Sequence, residues 1–220
     1  MKNLLYKEIK LCVPTQTWIF VFLSISIVIP SWPSLVCFFY PLAGLTVIFA
    51  LGAANRDILY TSNLPLRKKD VVRGKVLLLS FLELLTVLIS IPFAFLKNLL
   101  TATNPELVEY SDLGCNMATY GIVLTLFGLF NLIVLPWFYK KPEGKNSLPF
   151  IVADLSVAFL MTAIMCVFII FEDAAKVVNQ YEGIGLLIQI GALLGGTLLF
   201  SLCAFLSDRL AAKNFQKVDI

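Results

Sequence analysis

A chain of 220 residues that is 59% hydrophobic and only 14% charged cannot hide its apolar surface in one soluble core, where charged residues ordinarily make up about a quarter of the sequence; lipid must take up the remainder. The complete absence of histidine removes Ser-His-Asp and Cys-His nucleophilic sites and His-ligated zinc, and no GxxxxGK[ST] phosphate loop occurs, since Gly144-Lys145 lacks both the upstream glycine and the following Ser or Thr. The net charge of +3 decides little, whereas the placement of the charges decides a good deal.

Residues 2–12 set Leu4, Leu5, Glu8 and Ile9 against Lys2, Lys7 and Lys10. That pattern predicts an amphipathic helix with a basic face, lying along the cytoplasmic interface and turning into the first span near Pro14. An irregular basic tail is the alternative. Apolar runs near the 20 or so residues a helix needs to cross the hydrocarbon core then predict six spans, at 15–31, 34–53, 75–96, 114–138, 148–171 and 183–206. No small-x-small cleavage site follows the first run, which leads into Pro30-Ser31-Trp32-Pro33, so it is read as a retained span. The expectation is an all-α membrane protein with a single transmembrane domain over 1–220. Ser31-Trp32-Pro33 and 172–182 are its short outer turns, and 97–113 is its longest extracellular loop.

Of the 17 Lys and Arg residues, all but Lys97 and Lys176 fall in the N-terminus, the 54–75 segment, the 139–147 loop or the C-terminus. The positive-inside rule then places both termini in the cytoplasm, and an odd number of spans would have mixed the basic segments between the two sides. The five cysteines, Cys12, Cys37, Cys115, Cys166 and Cys203, form no CxxC and are read as apolar packing, with no metal site.

The segment from Ala54 to Lys75, between spans two and three, interleaves Ile58, Leu59, Leu64, Leu66, Val71 and Val72 with Arg56, Asp57, Arg67, Lys68, Lys69 and Asp70. Pro65 fixes a turn or the first position of a short helix, and Arg67 to Val72 form a helical step leading into span three. Apolar knobs mixed with charges on a short projecting helix suit docking to a soluble partner. A loop whose cations only enforce topology is the plainer alternative.

Two acids fall inside spans, Glu83 in the third and Asp154 in the fifth, and no intramembrane Lys or Arg is available to pair with them. Each lies eight or nine residues past a basic anchor (Lys75, Lys145), or about 12–14 Å along a helix. Ser80, Glu83, Thr86 and Ser90 share one broad face; Asp154 and Thr162 align less well. A hydrogen-bonded structural carboxyl and a role in the translocation path or gating, with Ser80 and Ser90 beside Glu83, both stay open. In span six, Gly191 and Gly195 form a GxxxG pattern that permits close helix approach, within the subunit or at a dimer contact. Gly121, Thr125 and Gly128 form a second small-residue stripe in span four.

Three features carry a resemblance: the start Leu-Tyr-Lys-Glu-Ile-Lys-Leu, a Pro-flanked first hairpin, and the pattern Asp57…Tyr60…Leu64-Pro65…Arg67…Val71…Lys75. With them the chain resembles the small permeases of ABC-2-type ATP-binding-cassette exporters. Within that family it is similar to the short bacterial permeases of peptide exporters, including those that expel phenol-soluble modulin peptides. The architectural likeness spans the chain, and its motif content lies in 4–11 and 56–75.

The resemblance implies an elbow helix at 2–12 and a coupling segment at 56–72. There Leu64, Pro65, Leu66, Arg67, Lys68, Lys69, Asp70 and Val71 would dock on an ABC ATPase subunit. ATP and Mg would sit on that partner, with no cofactor bound by this chain and no nucleic acid. It further implies a second permease copy, a homodimer before a heterodimer, in a bacterial cytoplasmic membrane, exporting amphipathic or antimicrobial peptides. A six-span capture subunit of an energy-coupling vitamin importer is the second reading. A membrane-embedded enzyme is the third, and no catalytic residue is assigned to it.

Overall fold

The computed structural model describes residues 2–62, 66–104, 113–142 and 147–218. All regular structure among them is helical. Helix α1 (Lys2–Lys7) widens into a π-helical stretch at Glu8–Cys12, and the chain turns through extended Val13 and Pro14 into α2 (Thr15–Phe22). Leu4–Cys12 and Thr15–Val28 meet at 92°. Proline has no N–H to continue the first helix, and its fixed φ suits the entry to the second. Beyond Phe22 the helix tightens to 3₁₀ at Leu23–Val28. There Ser24 donates its hydroxyl to the Val21 carbonyl at 2.7 Å, and the β-branched Ile25, Ile27 and Val28 add crowding.

Five helices among the described residues are long and apolar enough to cross a membrane, and the bent pair at the N-terminus makes six if counted as one span. The second is a 3₁₀ turn (Val36–Phe38) leading into α3 (Phe39–Ala54). Pro41 sits in its first turn, where backbone N–H groups have no helical partner anyway. Arg56 then takes a left-handed φ of 53° and turns the chain into the short α4 (Asp57–Ser62).

Helix α5 (Lys68–Thr103) has 36 residues, about 54 Å at 1.5 Å per residue, against a hydrocarbon core of about 30 Å. The helical step expected at 67–72 is therefore the first turns of this same helix. The loop expected from residue 97 begins only after Thr103. Helix α6 (Met117–Phe138) is capped by Asn116, whose side chain accepts from the Thr119 N–H. Helix α7 (Leu148–Ile170) follows, then α8 (Glu172–Val178) and the 34-residue α9 (Gly183–Gln216). The outer turn expected at 172–182 is thus largely helical. Asn179 and Gln189 tie it down: the Asn179 side-chain oxygen accepts from the Gly114 N–H and Asn116 Nδ2, both at 2.9 Å, and Gln189 Nε2 donates to the Val178 carbonyl at 2.7 Å.

The closest helix pair is α6 with α9. A Cβ on Gly121 would run into the backbone of Ala192, one on Gly196 into the backbone of Gly121, and one on Gly128 would meet Phe200 and Cys203 at 3.1 Å. Gly191 and Gly195 do not make this approach. A Cβ on either meets nothing within 4 Å. The GxxxG register expected from sequence faces away from α6, because the rotation of α9 that brings Gly196 to Gly121 carries Gly191 and Gly195 outward. At the end carrying the N-terminus, α5 and the C-terminal end of α6 also meet the tail of the chain. Lys68 donates to the Val218 carbonyl at 2.6 Å, Arg73 faces Asp208 at 3.5 Å, and Tyr139 packs on Phe215.

Candidate functional site

The π-helical stretch rotates Glu8 and Cys12 inward, leaving Tyr6, Lys10 and Leu11 exposed. Extra-wide turns of this kind recur at functional sites. One turn earlier Leu4 seats on Gly74, where a Cβ would be 2.5 Å from the Leu4 side chain. The missing side chain lets the elbow helix lie directly on α5 and brings Glu8 to the neighbouring Lys75. On α4, Asp57 and Thr61 are four residues apart and share one face.

These elements meet in a four-charge cluster. Lys75 Nζ lies 2.8 Å from Glu8 and 3.4 Å from Asp57, and Lys7 Nζ lies 3.1 Å from each of the same two carboxylates. Lys7 also donates to the Thr61 hydroxyl at 2.7 Å, which in turn donates to the Asp57 carbonyl at 2.7 Å. The Cys12 thiol donates to the second Asp57 oxygen at 3.3 Å. Two ammonium groups alternate with two carboxylates, so the cluster is neutral as a whole. Glu8 and Lys75 are buried, while Lys7 and Asp57 reach its rim. Burial alone would push the Asp57 carboxyl up. The Lys75 ammonium and then the Lys7 hydrogen bond outweigh it and hold Asp57 below its ordinary 3.8.

Glu8, Cys12 and Asp57 bring three ligand-type atoms within 4.8 Å. Both carboxylates are already engaged by lysine ammonium groups, and the thiol donates to Asp57. Beside the cluster opens a pocket of about 290 Å³, lined among others by Lys7, Leu11, Leu51, Asn55, Asp57 and Tyr60.

The residues singled out from sequence are distributed around this cluster and above it. Leu64 and Pro65 lie outside the described residues. Leu66, Arg67 and Lys69 are exposed, Lys68 and Asp70 are half-buried, and Val71 is buried under them. Arg67 is extended and precedes the first turn of α5, where Asp70 faces the positive end of the helix dipole. Tyr60 on α4 is exposed and lines the pocket beside the cluster.

Glu83 is buried and accepts from Asn131 Nδ2 of α6 at 2.7 Å. Ser90 donates to the Val87 carbonyl at 2.8 Å and touches the Tyr120 hydroxyl at 3.3 Å. Ser80 and Asp154 are half-buried, and each holds a buried oxygen without a partner. Among the described residues no hydrogen bond joins Asp154 to Glu83. Lys7, Glu8, Asp57 and Lys75 lie in the two stretches that carry the resemblance, 4–11 and 56–75, but neither stretch by itself shows that they meet.

A protein-family model described as ABC-2 family transporter protein matches residues 3–212. No curated protein and no solved structure matches the chain.

Proposed function

The chain belongs to the ABC-2 transporter family, and from that premise we propose that it is the membrane permease of an ATP-driven exporter whose ATPase is a separate chain. It is a multi-pass membrane protein, with helices enough for five or six crossings. The observation that carries the reading is the neutral four-charge cluster. It ties the elbow helix, α4 and the foot of α5 into one unit.

In this reading the basic end is cytoplasmic, and α4 with the exposed Leu66, Arg67 and Lys69 is the surface the ATPase grips. Displacement of α4 moves Asp57. Asp57 pulls on Lys75 at the start of the long α5 and on Lys7 of the elbow, so one push reaches two membrane elements together. The exposed apolar faces of α7 and α9, with Leu155, Phe159, Leu187 and Leu194, leave room for a second permease copy as well as lipid. We read the assembly as a homodimer with two ATPases, in a bacterial cytoplasmic membrane, with ATP and Mg on the ATPases. Amphipathic or antimicrobial peptides are the proposed cargo. That last step rests on the likeness of residues 4–11 and 56–75 to peptide-exporter permeases. Family membership does not favour the vitamin-capture alternative.

The test is gentle detergent purification of the chain from its native membrane. An ABC ATPase in equal amount, released by charge reversal at Arg67 and Lys69, supports the reading. Purification of the chain with no ATPase, or with one that the reversal does not disturb, overturns it.

A further inference from the structure

The Glu83–Asn131 contact joins α5 to α6 in the apolar interior, and its atoms do not balance as drawn by one hydrogen bond. Asn131 Nδ2 donates to Glu83 Oε2 at 2.7 Å. Glu83 Oε1 and Asn131 Oδ1 are both buried and both lack a partner. Two orphaned acceptors therefore sit on two side chains already in contact. Buried oxygens without donors are rare and unfavourable. The ion pairs among the described residues engage Glu8, Asp57, Glu172, Asp173 and Asp208, and none reaches Glu83.

We infer that Glu83 carries a proton and forms a two-bond acid–amide clasp with Asn131. The carboxyl O–H donates to Asn131 Oδ1, while Asn131 Nδ2 donates to the carboxyl carbonyl oxygen. One proton satisfies both orphaned atoms and removes the isolated charge that burial disfavours. Asn131 is then the positioning residue for Glu83, and the pair is a neutral clasp between spans three and four rather than a charge offered to cargo. The inference stands independently of the exporter reading.

Infrared difference spectroscopy on the purified protein in lipid nanodiscs, wild type against Glu83→Gln, tests it directly. The expected result is loss of a protonated-carboxyl C=O band in the variant, and a shift of that band in Asn131→Leu. Loss of carboxylate bands instead would overturn the clasp. Thermal unfolding supplies an independent readout. Glu83→Gln retains both hydrogen bonds, because its amide donates to Asn131 Oδ1, and it melts with the wild type. So does the exchanged pair Glu83→Gln with Asn131→Asp. Glu83→Leu and Asn131→Leu each lower the melting temperature by several degrees, and their combination lowers it by less than the sum. If Glu83→Gln melts as low as Glu83→Leu, the clasp is wrong.

Discussion

Lys75 shows how much can rest on a single side chain. Its ammonium is buried and has two carboxylate partners; removing it leaves Glu8 buried with Lys7 alone for company. Breaking a buried ion pair from one side costs about 3–5 kcal/mol. Lys75→Met is expected to approach that loss, and Asp57→Asn to fall well short of it, because Asp57 sits at the rim and water can replace part of what it gives up. Denaturation of the detergent-purified variants checks the order. Asp57 also sets a pH dependence. Its carboxyl is held below its unfolded value near 4, so its contribution is complete above about pH 4 and is lost as pH falls through the lowered folded value. Thermal stability should fall on acidification below about pH 4, and by less in Asp57→Asn. An equal acid response in both would show that other carboxylates govern it.

At the scale of helices, spans long and apolar enough to announce themselves were legible from residue type alone. Helix ends and rotations were not. The start of α5 merges with the basic segment before it because no proline lies between Lys68 and Lys75 and Gly74 only weakens a helix without ending it. The rotation of α9 is set by tertiary contact, which a GxxxG pattern does not encode, so spacing alone leaves the choice between Gly195 and its neighbour Gly196 open. The structure decides it, since only Gly196 sits against the Gly121 backbone. Gly196→Ala and Gly121→Ala should therefore each destabilise the protein by about 1–3 kcal/mol, as overpacking does, and by more where backbone must move. Gly191→Ala should leave the melting temperature unchanged, and equal losses at all three positions would contradict the α6–α9 packing. The two candidate sites were legible to different degrees for a similar reason. Glu83 stands out as an acid among leucines. Asn131, nine residues before Lys140, lies at nearly the same depth from its basic anchor as Glu83 does from Lys75, and matching those depths was the available signal. The four-charge cluster draws on three segments, with Glu8 and Lys75 standing 67 residues apart, and no local pattern reports such a meeting.

For the whole molecule, the proposed function assigns gripping the ATPase and passing on its motion to separate residues. Leu66, Arg67 and Lys69 are exposed just before and within the first turn of α5, whereas Glu8 and Lys75 of the cluster are buried. Charge reversal at Arg67 and Lys69 should weaken association with the ATPase, more so at low salt, because exposed charges act through a screened field; it should leave thermal stability of the isolated permease near the wild-type value. Asp57→Asn should do the opposite. The surface stays intact and the ATPase still binds, but α4 has lost its charged grip on Lys75 and Lys7, so ATP turnover in the complex no longer responds to the permease as it does in the wild type. Measuring association and turnover on the same preparations separates the two. If Asp57→Asn lost binding and turnover in proportion, the cluster would be part of the docking surface, and the division between grip and transmission would fail.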